Sequence, residues 1–484
     1  MSSMTLPDDV IQEILTRLPA KSIINCRCVC KTWFSLISER DFVKRHLDHT
    51  IHSKKQSKFM CIIEDATKPY YPLISTVSYD DTLYSSSFMS GDEDYVEIDP
   101  PLIDFAYPVH FLGSVNGLIC IMFHTSVVDG LVPFFVIWNP TTREYKILPP
   151  SQNRVTDKKE FSIYSFGYDH KSDNYKLVKA EFLQDGFVEL PPTSEEDVHA
   201  AEIYSLESDS WRIIETIPYH MLRYVPYDSV SGVLVNGVRH WLAKRKYLTK
   251  GLKEDFIVSF DFSDERFKQM QLPKSFQNKT AWRPLWTVGV LEECLCVVRH
   301  VWEPCIQVEI WVMQDYGVQE SWTKRFVICS TETRDILNLD PARVIWSFKD
   351  DKFLLLKIKD KRQFVLYDPK QDTVTSCSKV IRGAENYVES LVSLNSDIYV
   401  GSAREYTNIL RASWTKSLRL FDGSNSSCFA GIDAIIRNDT DDFVACYGKQ
   451  HILETTNNAE EVWAFRDGVM LAEQWRVQTV VVET

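Results

Sequence analysis

Residues 6–47 read LPDDVIQEILTRLPAKSIINCRCVCKTWFSLISERDFVKRHL, and this stretch decides the first part of the fold. Val10, Ile11, Ile14, Leu15 and Leu18 recur at helical spacing and make one apolar stripe. Pro7 suits a first helical position, and Asp8 and Asp9 fall in the first turn, where the helix dipole favours negative charge. Pro19 ends that helix and opens a second, with Ile23, Cys26 and Val29 as its apolar side and Lys21 and Arg27 in water. A third helical stretch carries Trp33, Phe34, Leu36 and Ile37. Three helices this short expose more apolar surface than they can bury among themselves. Such a unit either borrows a partner's surface or packs on the rest of its own chain. The pattern alone leaves both open.

Outward from this stretch the periodicity changes. From about residue 59 short runs alternate between apolar and polar with turn residues between them, which is the pattern of strands. One unit recurs, a hairpin with an aromatic residue near its turn: FFVIWNPTTREYKILPP at 134–150, EIYSLESDSWRII at 202–214, IVSFDFSDERFKQMQLP at 257–273, EIWVMQDYGVQESWTKRFVI at 309–328 and FVLYDPKQDTVTSCSKV at 364–380. Trp138, Tyr204, Phe260, Trp311 and Tyr367 mark copies about 50 to 66 residues apart, the range of propeller blades with variable loops. Another strand pair precedes each copy, and two pairs make the four-stranded sheet of a propeller. Five blades therefore lie between about 110 and 381. A sixth is assembled from both ends, FMCII and YPLISTVSY near 59–79 with YVESLVSLN at 387–395 as the closing strand, which removes free edges. A string of β-sandwiches is the alternative, and the regular repeat weighs against it. The expected fold class is α+β multidomain, a small all-α unit of three helices followed by an all-β, six-bladed β-propeller.

The order Leu6-Pro7, Asp8, Ile14-Leu15, Leu18-Pro19, Lys21-Ser22, Val29, Lys31 and Trp33 resembles an F-box, over residues 4 to about 47. The resemblance implies that Leu6, Pro7, Ile11, Ile14, Leu15, Leu18 and Pro19 dock on the Skp-family adaptor of a Skp–cullin–F-box ubiquitin ligase. Ile23, Val29 and Trp33 would divide between docking and internal packing. Cys26 departs from the pattern, standing where many relatives carry a larger apolar residue. The phrases GSVNGLICI, IWNPTTREYKILPPS, FGYDHKSDNYKLVKA, EIYSLESDSWRII and IWVMQDYGVQESW resemble the F-box-associated, kelch-like domain of plant F-box proteins, in particular the S-locus F-box and S-haplotype-specific group. This likeness spans residues 1–395 and implies a substrate-recognition subunit. The F-box would bind the adaptor and through it the cullin, while the propeller holds a target protein for ubiquitination. For some members of the S-locus group, which acts in pollen self-incompatibility, that target is a basic stylar ribonuclease. The implied layout is an F-box at 1–48, the propeller at 49–400 and a C-terminal segment at 401–484. Family members usually end before that segment, whose hydrophobic and aromatic residues are not those of a polar tail.

Composition narrows the function further. With 484 residues, 44% apolar and 25% charged, the chain has the make-up of a globular protein of more than one domain, and 12% aromatic residues lean toward β-structure. Twelve cysteines without a secretory N-terminus read as reduced thiols. Cys26, Cys28 and Cys30 point to different sides of a helix and cannot easily share a metal. No window approaches the ~18 apolar residues of a spanning helix. The expected location is the cytoplasm or nucleus, with no membrane partner. The net charge of −13 weighs against nucleic acid and permits a basic protein partner. Asp92-Glu93-Asp94 and Glu195-Glu196-Asp197 read as solvated loops that would form an acidic rim if they share a propeller face. His46, His49 and His52 sit three apart, but in a charged setting that argues against a metal. Trp211, Trp241, Trp311 and Trp322 lie inside the repeats and read as inter-blade packing. There is no phosphate-binding Gly-rich loop, no His-Glu-x-x-His and no Gly-x-Ser-x-Gly. No catalytic residue, cofactor or metal is therefore expected. Two rival readings remain: a propeller that recognises a glycan or small ligand, shown by aromatics at one mouth, and a propeller oxidase or hydrolase with His, Tyr and Cys lining the central channel.

Overall fold

A computed structural model of the chain describes residues 7–53, 57–64, 73–78, 96–98, 100–101, 109–127, 130–151, 160–183, 201–214, 220–221, 232–246, 253–277, 285–301, 307–328, 342–348, 351–357, 362–396 and 399, and five strand backbones between 417 and 482. Among the described residues no helix is long and apolar enough to cross a membrane.

The helical head contains α1 (Asp8–Thr16), α2 (Ala20–Cys26), α3 (Lys31–Ser38) and α4 (Arg40–Ser53). Pro7 and Pro19 stand one residue before α1 and α2 with extended ψ of 144°, so each proline fixes a start without losing a helical hydrogen bond. Cys30 opens α3, its Sγ accepting from the Trp33 amide at 3.5 Å. Extended Glu39 separates α3 from α4. The three helices expected from sequence are followed here by a fourth.

The ring is a six-bladed propeller. Blade one holds β1 (Ser57–Glu64), β2 (Leu73–Ser78) and β3 (Val96–Glu97). Blade two runs β4 (Val109–Val115), β5 (Leu118–Val127), β6 (Gly130–Asn139) and β7 (Glu144–Ile147), and blade three β8 (Glu160–Asp169), β9 (Asn174–Leu183), β10 (Ala201–Ser205) and β11 (Ser210–Ile214). In blade four the short strands β12 (His220–Met221) and β13 (Val233–Val235) both pair with β14 (Val238–Lys246), followed by β15 (Lys253–Asp261) and β16 (Arg266–Met270). Blade five is β17 (Leu285–Leu291), β18 (Cys294–Val301), β19 (Gln307–Met313) and β20 (Trp322–Ile328). Blade six is β21 (Ala342–Ser347), β22 (Phe353–Lys357), β23 (Phe364–Asp368) and β24 (Thr373–Ser376). Closure comes from β25 (Val380–Val388), which pairs antiparallel with β1 from Ser57↔Val388 to Glu64↔Val380 and becomes the first strand of blade one. The closing strand thus lies earlier than the expected 387–395. The polar and apolar residues after Val388 alternate like a strand but serve another purpose, described below.

The recurring aromatic-and-turn phrase has a physical cause. Asn139, Asp169, Asp261 and Asp368 each end a strand, and one side-chain oxygen accepts the backbone N–H groups two and three residues on, at 2.8–3.4 Å. The fourth residue on is left-handed in every case: Arg143, Asp173, Glu265 and Asp372. Where the strand carries tyrosine, its hydroxyl donates to an aspartate at that left-handed position, as Tyr204 to Asp209 at 2.7 Å and Tyr367 to Asp372 at 2.9 Å. Asn116-Gly117, Asn236-Gly237 and Glu292-Glu293 make the tighter two-residue hairpins with both φ positive.

Apolar residues of neighbouring blades pack into shared cores. Val233, Ile257, Trp286, Val297 and Trp322 join blades four and five, while Phe59, Ile345, Leu354, Phe364 and Ile381 join six and one. Trp241 and Trp322 are buried in such cores, and Trp311 packs at the edge of one.

Backbone contacts divide the chain into two compact units, Met1–Ile98 with His110–Ile121 and Pro149–Val392, and Asp99–Val109 with Met122–Leu148 and Ser393–Thr484. Within the second unit, buried Glu144 accepts from the amides of Leu394 and Ser396, both at 2.9 Å, and from the Ser393 hydroxyl at 2.8 Å. Its last part forms a further sheet from β26 (Ser417–Leu420), β27 (Ser424–Ser426), β28 (Phe429–Arg437), β29 (Phe443–His451) and β30 (Thr479–Val482), with β26 and β30 parallel.

Candidate functional site

The head places its apolar residues on two sides. Inward-facing Leu15, Ala20, Ile23, Ile37 and Phe42 form its core, with Ile11, Leu18, Ile24, Cys26, Trp33, Leu36 and Val43 partly buried against it. His46 is buried with them. Its Nε2 lies 2.8 Å from the Leu18 carbonyl, and burial holds the imidazole below its ordinary pKa despite that bond. His49 and His52 are exposed, so the three histidines do not share one environment.

Several large apolar residues of the head stay exposed. Val10 is 41% exposed, Ile14 49%, Val29 63% and Phe34 55%, and Ile51 is also exposed. These are five of the eleven exposed large hydrophobic residues in the described chain, although the head supplies under fifty residues. Val10 and Ile14 stand four apart and make one strip along α1. Exposed apolar side chains in such density mark an interaction surface.

Among the residues expected to dock a partner, Ile14 and Val29 lie on this surface, with Pro7 and Pro19 exposed at the starts of α1 and α2. Ile11, Leu18 and Trp33 are half-buried at its margin. Leu15 and Ile23 are fully covered in the head core. Leu6 lies outside the described residues. Val10 and Phe34 are exposed as well and were not among the residues expected to dock. Val10 belongs to the same stripe, and Phe34 follows Trp33 so closely that spacing does not say which ring faces out.

The head joins the ring at one end. Its α4 feeds β1 at Ser57, opposite Val388 where β25 ends. Arg40 and Lys44 of α4 both pair with Asp173, in the turn between β8 and β9. The turns joining first to second and third to fourth strands belong to this end, because Asp169↔Asn174 and Lys58↔Ser78 lie at it. The other end carries the connections between second and third strands and between blades. The two acidic clusters, Asp92-Glu93-Asp94 and Glu195-Glu196-Asp197, lie outside the described residues. The strand ends that flank them, Ser78 with Val96 and Leu183 with Ala201, are at opposite ends of the ring.

Near the axis, the fully buried Arg239 touches the first strands of several blades. Its guanidinium donates to the Phe166 carbonyl at 3.3 Å and to Gly232 at 3.5 Å, and lies 3.9 Å from Glu385. Gly113 packs on that guanidinium, where any Cβ would collide. This arrangement is a structural tie between blades. Among the described residues no group of three His, Cys, Asp or Glu is placed to hold a metal.

Comparison with known proteins agrees with this division into head and ring. A model of the F-box domain matches residues 4–45, and one of the F-box associated beta propeller domain matches residues 112–418. The chain is 29% identical over 407 residues to the F-box protein CPR1 of Arabidopsis thaliana, covering 80% of this chain and 89% of that one. It is also 29% identical over 409 residues to an F-box/kelch-repeat protein of the same plant, covering 81% and 97%. Among solved structures, an α-L-arabinofuranosidase from Fusarium graminearum superposes with a TM-score of 0.35 at 10% identity, covering 76% of this chain and 98% of that one. A likeness that low says nothing about chemistry.

Proposed function

The chain belongs to the F-box-associated β-propeller family, and from that membership we propose that it is the target-choosing subunit of a Skp–cullin–F-box ubiquitin ligase. The observation that carries this reading is the exposure of Val10, Ile14, Val29 and Phe34 on a head whose own core is already filled. A helical adaptor would cover it, and each half-exposed aliphatic or aromatic side chain it buries contributes ~1 kcal/mol. No residue of this chain performs the transfer; its part is to hold a target near the machinery that does. The target would bind at the ring end that the head leaves open, where connections between blades can vary without disturbing the sheets.

The full-length chain should co-purify with a Skp-family adaptor. The double variant Ile14→Asp, Phe34→Asp should weaken that binding at least 100-fold with only a small drop in melting temperature, since about half of each side chain is already in water. Unchanged affinity would remove the adaptor reading.

The finer reading is a basic target protein, such as a stylar ribonuclease. It is supported by the net charge of −13, not by a mapped acidic rim. Opposite charge chiefly speeds encounter, so association should slow as salt passes about 0.1 M. A captured target that is acidic, or one indifferent to salt, excludes it.

A further inference from the structure

The core of the head contains one residue that is far away in sequence. Leu391 is 1% exposed and packs with Leu15, Ala20, Ile23, Ile37 and Phe42. It follows β25 by three residues, and β25 is the strand that closes the ring. The intervening residues are tied down as well. Glu389 is buried, and its carboxylate accepts from Lys58 of β1 at 2.7 Å and faces Lys21 of α2 at 3.7 Å. Ser390 is buried against Gly117, a left-handed position (φ 78°) where a Cβ would strike both the Ser390 side chain and the Val388 carbonyl. Residues 389–391 therefore form a plug whose path is set by the closed ring and whose tip completes the head.

We propose that the N-terminal head reaches its finished fold only when the ring has closed, because Leu391 is delivered to its core by the closing strand. The helices of the head are synthesised before the ring, and about 340 residues separate the end of α4 from the last core side chain, Leu391. A chain that is truncated before this point, or whose first blade has opened, lacks Leu391 in the head and presents an incomplete docking surface. The device admits to the ligase only chains that carry a whole target-binding ring. The geometry of the plug does not depend on which partner the head binds. The proposal's meaning for the ligase rests on the adaptor reading, so the test measures the head's own fold.

In the full-length protein carrying Leu391→Ala, backbone amides of α1, α2 and α4 should exchange with deuterated solvent at least about 30-fold faster than in the native chain. That is the lower bound set by a buried leucine cavity of about 2 kcal/mol. Amides of β18 and β19 should be unchanged, which shows that the ring still stands. The variant Leu391→Met, which keeps the volume, should restore protection to within about threefold. A second route opens the ring: Ala384→Asp, in the middle of β25 and away from the head core, should raise exchange in β1 and in the head together. If Leu391→Ala leaves head exchange at its native rate, or if β1 opens while the head stays protected, the head is autonomous and the proposal fails.

Discussion

The head and the ring bury apolar surface by opposite routes. In the head, four short helices that follow one another in sequence pack on a shared core, and one distant residue, Leu391, completes it. In the ring consecutive strands pair within each blade, apolar cores join successive blades, and one pairing, β1 with β25, brings the two ends of the ring sequence together. Packing among neighbouring helices makes the head quick to form and incomplete; a closure that waits for a strand from the far end of the ring sequence makes the ring slow to finish and cooperative once closed. The difference predicts where damage spreads. A lesion in the ring should reach the head, while one on the head surface should reach nothing.

The largest effect belongs to the ring core. Phe353 is fully buried between blades five and six, its ring 5.1 Å from that of Phe326 and 5.0 Å from that of Tyr367. Phe353→Ala should cost about 3–5 kcal/mol and lower the single melting transition of ring and head together. Separate transitions for the two would break the comparison. Ile14→Asp with Phe34→Asp is its counterpart, mild in stability and severe in binding.

A smaller change sharpens the contrast because it sits where the two parts meet. Gly117→Ala puts a side chain at positive φ and against the plug at Ser390. It should cost roughly 2 kcal/mol in the ring. It should also speed amide exchange in the head, although Gly117 belongs to the hairpin between β4 and β5. A ring destabilised with an untouched head would show that the plug does not transmit the strain.

How far the sequence was legible follows from the same wiring. The helical stripe from Val10 to Leu18 was visible because helical periodicity is local. Which edge of the stripe faces inward was not, since Leu391 helps to define the inside and no window of sequence contains it. Leu15 consequently turned out as core and Val10 as surface. The blades were legible because several of their hairpins place a side-chain acceptor at the strand end and a left-handed residue four later, as at Asn139, Asp169, Asp261 and Asp368. The closing strand was placed too late for a physical reason. Glu389 and Leu391 alternate like strand residues but are spaced to reach Lys58 and the head core. Alternation reports burial on one side, and it does not say what does the burying.

The smallest effect separates ring from head by titration. His240 and His300 are buried in blades four and five, and burial pushes both imidazoles from an ordinary 6.5 down to about 4. His240 has its Nε2 2.7 Å from the Tyr316 hydroxyl and its Nδ1 3.3 Å from the Val233 carbonyl. Nε2 of His300 is buried with no hydrogen-bond partner. Both rings are therefore neutral in the folded protein at pH 6, while the unfolded chain takes up protons as pH falls through 6.5. More protons on the unfolded side means that stability is whole above about pH 6.5 and declines toward pH 4. Between pH 7 and 6 the two sites together should lower stability by roughly 1 kcal/mol, reversibly. Replacing both with His240→Asn and His300→Leu should flatten most of this slope, whatever the variant's absolute stability. His46 in the head, also held below its ordinary value by burial, should supply the slope that remains, and adding His46→Gln should remove it. A slope that survives all three replacements would place the acid sensitivity outside the buried histidines. A slope lost entirely with the ring pair would show that the head contributes nothing to the proton count.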